Sequence, residues 1–314
     1  MVKIAIAGPG QVAREIIDGL LATGKHEIVL LSRKDPTTEQ TIPGTTWVKV
    51  DYQDRPALVR TLQGVHTVLS FIVVHLDPDS ASQKALIDAA IEAGVKRIAP
   101  SEWAVSDTNN LPWYEGKVKI REYLEEKNRD KKAIEYTLFQ PGWFLNYIAG
   151  TRQTAKHVTS SPFTLVDHEN FRARYAGSLD KQVTYTAVHD VVNIVVMAVD
   201  YEGEWPTDGS INGNTLSVAE EIALGEKVRG KPYEVKRLEI EDLKAGVVKS
   251  WLPVIEHPSL QPAEREALVK VFISGVLLNF ADGSAPVSDG WNRIFPHYKF
   301  TTAEEFLVKV FSNA

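Results

Sequence analysis

One pattern rules the first half of this chain: short, almost uninterrupted apolar runs alternate with longer amphipathic stretches. The runs are VKIAIA (2–7), EIVLLS (27–32), TTWVKV (45–50), HTVLSFIVV (66–74), KRIAPS (96–101) and IEYTLFQ (134–140). A strand with one wet face would alternate apolar and polar residues, whereas continuous apolar runs belong to parallel strands covered on both sides. Between the runs, QVAREIIDGLLATG, RPALVRTLQG, SASQKALIDAAIEAG and EGKVKIREYLEEK carry helical spacing. Gly24, Gly64 and Gly94 close the first three of these stretches as helix stops. Strand and helix repeated in this way predict an α/β fold, a Rossmann-type doubly wound parallel sheet.

After residue 150 the rhythm breaks. Residues 151–183 are polar and irregular, and VTYTAVHDVVNIVVMAVD (183–200) reads as a strand, an N-cap at Asp190 and an apolar helix that return to the main sheet. Beyond it, LSVAEEIALGEKVRG reads as helix, KPYEVKRLEI as strand and AEREALVKVFISGVLLNF as a largely buried helix. The expected division is a sheet domain of residues 1–155, joined by about 183–203, and a second, smaller α/β lobe on the substrate side, residues 156–182 and 204–314. The 314 residues include no cysteine, which removes disulfides, thiolate metal sites and cysteine nucleophiles and fits a reducing compartment. A net charge of −6 lacks the basic footprint of a nucleic-acid binder. No run approaches the roughly 18 apolar residues of a membrane span. His157, His168, His257 and His297 lack ligand spacing, so no metal site is expected. The expectation is a cytoplasmic monomer or homodimer that meets a small molecule and neither nucleic acid nor membrane.

The first apolar run leads into GPGQVA (8–13). In a G-x-G-x-x-A turn, Gly8 and Gly10 let the backbone turn tightly and approach a diphosphate, and Ala13 stands where a third small residue lets helix and strand pack closely. The helix opening at Gln11 and Val12 would aim its N-terminal amides and positive dipole end at the phosphates. The end of the second run selects the dinucleotide. An NAD site places an acid there to hold the ribose hydroxyls. This chain has Ser32, Arg33 and Lys34, and the acid follows only at Asp35. Adjacent cations suit a 2′-phosphate, and arginine offers it a bidentate fork. The expected cofactor is therefore NADP(H). Asp51 and Tyr52 end the third run, beside an adenine or as a turn signal with a half-buried aromatic. Phe71, Ile72 and Val73 close the fourth, lining the middle of the cofactor or filling plain core.

Active sites of open α/β sheets lie beyond the carboxyl ends of the strands. His75, the SEWAVSD loop with Trp103, the WYEGK segment with Trp113, and PGWFLNY with Pro141, Trp143, Phe144 and Tyr147 follow such ends. Two lysines on one predicted helix compete for chemistry. Tyr123-x-x-x-Lys127 has the tyrosine–lysine spacing of short-chain dehydrogenases. Lys127, however, is ten residues beyond Lys117, about 15 Å along a helix axis. The N-terminal end of this helix faces the cleft, so Lys117 is the catalytic candidate. A tyrosine at position 113 would complete the dyad for Lys117, but Trp113 stands there and Tyr114 is one residue too near.

Together these residues resemble the isoflavone-reductase-like and NmrA-like atypical short-chain dehydrogenases, particularly fungal oxidoreductases of that group. The resemblance runs through the glycine turn, ALIDAAIEAGVKRIAPSEWA (85–104), EGKVKIREYLEE (115–126), YTLFQPGWFLNYI (136–148) and FPHYKFTTAEEFL (295–307). It implies an NADPH-binding domain with a smaller lobe. The lysine that opens the family's K-x-x-[V/I]-R helix, acting near the nicotinamide, corresponds to Lys117. The arginine that meets the 2′-phosphate corresponds to Arg33. The turn is one residue shorter than the usual GxxGxxG and ends in Ala13, which should alter the diphosphate fit. The expected cofactor contacts are Gly8, Gly10, Gln11, Val12, Ser32, Arg33, Lys34, Asp51, Tyr52, Phe71, Ile72, Val73, Trp103, Lys117, Pro141 and Phe144. The expected substrate contacts are His75, Trp113, Trp143, Phe144 and Tyr147. The expected activity is reduction of a small apolar or aromatic metabolite of secondary metabolism, with Lys117 donating or orienting the proton. The alternatives are a non-redox isomerase or cyclase in the same cleft, or a catalytically silent NADP(H)-sensing regulator.

Overall fold

The computed structural model describes residues 1–37, 41–161, 163–253 and 261–312, and the chain forms two compact units. The first comprises Met1–Trp103, Trp113–Gln140 and Val191–Ser210; the second comprises Ala104–Pro112, Pro141–Asp190 and Ile211–Ala314.

Among the described residues of the first unit, six strands make one sheet: β1 (Lys3–Ala7), β2 (Glu27–Ser32), β3 (Thr45–Lys49), β4 (Thr67–Ser70), β5 (Arg97–Ala99) and β6 (Glu135–Tyr136). Their order is β3-β2-β1-β4-β5-β6, and every pairing is parallel. This is the doubly wound Rossmann arrangement. The continuous apolar runs follow from it, because successive side chains point to opposite faces and both faces are covered. Ala5, Ala7, Val29, Leu31 and Val68 face one core with residues of α2 (Arg55–Leu62), α3 (Ala81–Glu92) and α4 (Glu115–Asn128). Ile4, Ile6 and Leu30 point the other way and are equally buried. On α1 (Gln11–Ala22), Ala13, Ile16, Ile17 and Leu20 are buried. That helix packs against α5 (Val188–Asp200) so closely that a Cβ on Gly19 would lie 2.3 Å from Val192 Cγ1. Gly24, Gly64 and Gly94 follow the ends of α1, α2 and α3 with positive φ, as their spacing predicts. The strand order reverses between β1 and β4, so the loops after these strands diverge and leave a crevice at their carboxyl ends.

Three expected features differ. Strand β4 stops at Ser70, so Phe71, Ile72 and Val73 are loop rather than strand, and Val73 is 47% exposed. The strand β10 (Gln182–Thr186) does not return to the main sheet. It pairs in parallel with β7 (Trp143–Phe144) and antiparallel with β11 (Asn214–Ser217) in a separate sheet of the second unit. Gly142, at φ 68°, takes the chain so close to β10 that a Cβ would sit 2.4 Å from the Thr184 carbonyl. Asp190 is not an N-cap. It lies within the first turn of α5, where its buried carboxylate accepts from Tyr298 Oη at 2.6 Å and Thr301 N–H at 2.9 Å.

The second unit holds another small sheet, in the order β12 (Glu234–Leu238), β9 (Arg172–Ala176) and β8 (Val166–Asp167). Its helices α6 (Val218–Arg229), α8 (Pro262–Asp282) and α10 (Ala303–Phe311) are the long ones, beside the shorter α7 (Ile240–Lys244) and α9 (Gly290–Ile294). Both α6 and α10 open on capping boxes, Ser217 with Glu220 and Thr302 with Glu305, so their first amides are satisfied from within.

Candidate functional site

Two cavities flank the glycine turn of the first unit. One, of about 310 Å³, is lined by Gly10, Gln11, Val12, Ala13, Phe71, Val73, Val74, His75, Ser101, Trp103, Trp113, Tyr114 and Lys117. The other, of about 260 Å³, is lined by Gly8, Pro9, Gly10, Ser32, Arg33, Lys34, Tyr52, Phe71, Ile72 and Val73, with Leu31, Leu76 and Ser82. Gly10, Phe71 and Val73 line both. The two therefore make one groove that crosses the carboxyl ends of β1 and β4.

The turn is held from beneath. Gly8 N–H donates to Leu31 O at 3.0 Å and Gly10 N–H to Gly8 O at 2.8 Å. Gly8 needs to be glycine, since its φ is 87° and a Cβ would lie 3.0 Å from the Phe71 carbonyl oxygen. Gly10 differs. It has ordinary extended backbone, and a Cβ there would meet nothing within 4 Å. Neither strain nor packing in the chain itself asks for glycine at this position; a ligand pressed against the backbone would. Gly10 also stands at the N-cap of α1 and brings no side chain to cap it. The amides of Val12 and Ala13 have no acceptor within the helix, and the helix end carries its positive dipole. Such a helix end is suited to an anion.

Arg33 and Lys34 are exposed at the far end of the groove. Trp47 Nε1 donates to Lys34 O at 3.0 Å, and Lys34 N–H donates to Ser32 Oγ at 3.2 Å, so their loop is shaped by neighbours. The acid that follows is neutralised locally: Asp35 pairs with Lys49 at 2.5 Å. Arg33 also borders a third cavity, of about 510 Å³, with Lys49, Asp51, Asp54 and Thr61. Asp51 and Tyr52, adjacent in sequence, thus serve different walls. Asp51 faces this third cavity and accepts from Gln53 N–H at 2.9 Å, while the buried Tyr52 lies under the groove.

At the other end Lys117 enters from the first turn of α4. It is 5% exposed. Its Nζ donates to Ser101 O at 2.8 Å and to Glu102 O, and sits 4.5 Å from the centroid of the Tyr114 ring. Burial lowers its pKa to about 8, against the opposing pull of Glu102. Behind it lies a polar cluster. Arg121, one helical turn along α4, donates to the buried Glu102 carboxylate through Nε at 3.0 Å and Nη2 at 2.6 Å, and Gln140 Nε2 adds a third bond at 2.8 Å. Gln83 fixes the neighbouring residue by accepting from Ser101 N–H at 2.9 Å.

An aromatic stack forms the wall between the two ends. Trp103 stacks on Phe71 at 4.4 Å and on Phe139 at 5.3 Å, with interplanar angles of 11° and 16°. Its Nε1 donates to Ser70 O at 2.8 Å, and its backbone is held at φ 43°, the left-handed region costly for a bulky residue. His75 and Trp113 complete the rim of the cavity around Lys117.

The groove gathers Gly8, Gly10, Gln11, Val12, Ser32, Arg33, Lys34, Tyr52, Phe71, Ile72, Val73, His75, Trp103, Trp113 and Lys117. Pro141, Trp143, Phe144 and Tyr147 belong to the second unit, where Phe144 packs edge-on against Tyr147 and Trp143 against Phe280. The rival pair on α4 is engaged elsewhere: Tyr123 Oη and Lys127 Nζ both bind Asp88, each at 2.8 Å. Sequence reading did not single out Gln140 or Phe139, set Tyr114 aside, and gave Arg121 no role beyond closing the K-x-x-[V/I]-R pattern. The i, i+4 spacing of Lys117 and Arg121 within that pattern was the signal that the two share a helix face. Among the described residues no group of three His, Asp or Glu side chains is placed to hold a metal ion, and no helix is long and apolar enough to cross a membrane. His257 lies outside the described residues.

The chain is 28% identical over 239 residues to an oxidoreductase named BOA1 from Botryotinia fuckeliana, covering 74% of this chain and 78% of that protein. It is 26% identical to isoflavone reductase homolog P3 of Arabidopsis thaliana, over 97% and 96% of the two chains. Its fold superposes on the Escherichia coli NADPH-dependent quinone oxidoreductase QOR2, solved in complex with NADPH, with a TM-score of 0.66 at 22% identity, covering 98% of this chain and 99% of that one. The profile of the NmrA-like family matches residues 2–307, and the protein is a member of that family.

Proposed function

We propose that this protein is a cytoplasmic NADPH-dependent reductase of a small apolar or aromatic metabolite, with Lys117 as the group that gives or orients the proton. The observation that carries the proposal is one groove with three successive functions. It has a cationic end at Arg33 and Lys34, a glycine turn open above Gly10, and a buried lysine of lowered pKa at the other end. The oxidoreductase and isoflavone reductase names of its relatives support the same reading.

Arg33 and Lys34 would hold the 2′-phosphate, and the open backbone at Gly10 with the amides of Val12 and Ala13 would hold the diphosphate. Bound NADPH supplies a hydride. An ammonium has three protons, and Lys117 directs two of them at the carbonyls of Ser101 and Glu102. The third is the one it can give to an oxygen or carbon that gains charge during reduction. A pKa of about 8 leaves the amine protonated near neutrality and still ready to part with its proton. Phe71, Trp103, Trp113 and Tyr114 line this end and would present flat apolar surface to a substrate, with His75 beside them.

Thermal shifts with each nucleotide, followed by assays with quinone and enone acceptors, test the proposal. NADPH at about 100 times its Kd should stabilise the fold by about 2.7 kcal/mol, and NADH at the same concentration by less. Equal stabilisation by NADH would remove the role of Arg33 and Lys34. Tight NADPH binding with no stoichiometric NADPH consumption across the acceptors would remove the reductase reading.

A further inference from the structure

The buried Glu102 carboxylate takes three hydrogen bonds, and its residue forms part of the turn that receives Lys117 Nζ. The residue works in two directions at once. Its backbone oxygen accepts from Nζ, while its carboxylate is drawn back by Arg121 and Gln140. Arg121 stands four residues after Lys117 on α4, so the two cations share one helix face and the carboxylate lies against that face. We propose that Glu102 is the positioning residue for Lys117: its clamped carboxylate fixes the carbonyls that hold the amine and sets a negative charge beside it, with Arg121 as the counterweight. The proposal rests on the role given to Lys117 above.

The surrounding ionisable groups are few. Tyr114 comes from the turn ahead of α4, and His75 from the loop after β4, on the same cavity. Asp77, from the segment before α3, is committed to the amides of Ser82 and Gln83 at 2.8 and 3.1 Å. Glu115, at the start of α4, pairs with Lys119 at 3.0 Å. Glu102 and Arg121 are the charges that act on Lys117, the first favouring its protonated form and the second opposing it. Removing either should move the titration of Lys117, and in opposite directions. An ion pair without electrostatic reach to Nζ would move neither midpoint.

The test follows the Cε resonance of Lys117 against pH in protein carrying 13C-labelled lysine, with the signal identified by its loss in Lys117→Arg. The wild-type midpoint should lie at about 8. Glu102→Gln should lower it by about one pH unit, and Arg121→Gln should raise it by about as much. An unmoved midpoint in both variants, or shifts of the same sign, overturns the proposal. If Glu102→Gln does not fold, Arg121→Gln decides alone: an upward shift supports the proposal, and no shift or a downward one ends it. The pH profile of kcat separates this from the reading on which it rests. If the resonance shifts in both directions while the kcat profile stays in place, Glu102 positions Lys117 but Lys117 is not the proton donor. If Lys117→Ala abolishes turnover while the resonance stays fixed in both variants, the donor stands and the role of Glu102 falls.

Discussion

Helix α4 carries two lysines with opposite fates. Lys117, in its first turn, is 5% exposed, bound only to carbonyls and an aromatic face, and has a pKa pushed down to about 8 by burial. Lys127, in its last turn, has a side chain 33% exposed and bonded to Asp88, and its pKa is raised chiefly by that hydrogen bond. Lys127 has the better sequence credentials, because it sits four residues after a tyrosine. Lys117 has the better physics. A carboxylate partner makes a lysine a stable cation and a poor proton donor, whereas carbonyl partners hold the amine in place without fixing its charge. The end of the helix at the crevice is the end where burial without a direct carboxylate contact occurs.

The largest effect should come from breaking the chemical end of this comparison. Lys117→Ala should lower kcat by about 10²- to 10⁴-fold, the usual contribution of a positioned acid or base, while NADPH still stabilises the fold. Steady-state kinetics beside a thermal shift will show whether the two readouts separate. Turnover at the wild-type level would end the catalytic role of Lys117. A retained thermal shift is expected because the phosphate contacts proposed for the cofactor lie at Arg33 and Lys34, at the opposite end of the groove, and at Gly10, where the two cavities meet.

A smaller effect sharpens the same contrast through stability. The pKa of Lys117 is lower in the fold than the 10.5 it would have when exposed. The sign follows from counting protons: between pH 8 and 10.5 the unfolded chain binds the proton that the folded chain has released, so stability rises with pH in that window. Relative to Lys117→Met, the wild type should gain roughly 1 kcal/mol per pH unit across it and nothing below it. Urea denaturation of both proteins at several pH values measures this. A difference independent of pH would mean that Lys117 titrates at its ordinary value and is not desolvated.

How much of this was legible beforehand follows the range of the interactions. The parallel sheet is written locally, in continuous apolar runs and glycine stops, and emerged as read. The groove was half legible. Gly8, Gly10, Arg33 and Lys117 each occupy a strand end or helix start, and parallel topology brings such positions together at one edge of the sheet. The Glu102 cluster was hidden because its partners come from 19 and 38 residues away, and no local pattern announces a pairing of that kind. The stack of Phe71, Trp103 and Phe139 was hidden for the same reason. Strand β10 was misplaced because an apolar strand before an apolar helix looks alike whichever sheet it joins. Its partners β7 and β11 are what assign it to the second unit.

The smallest effect tests the far end of α4. Lys127 and Tyr123 share Asp88 at a partly exposed site, where a surface ion pair contributes about 1 kcal/mol or less. Lys127→Met should therefore lower Tm by only about 1 to 3 °C and leave kcat and KM at wild-type values. Tyr123→Phe should do the same, since it removes one hydroxyl bond to Asp88 and keeps the ring. If either substitution instead lowered kcat as far as Lys117→Ala does, the tyrosine–lysine spacing would have to be read as a working dyad, and the assignment of chemistry to the first turn of α4 would be reversed. If kcat holds while Tm slips, the two lysines divide as their surroundings indicate: one holds the helix against α3, and the other serves the crevice.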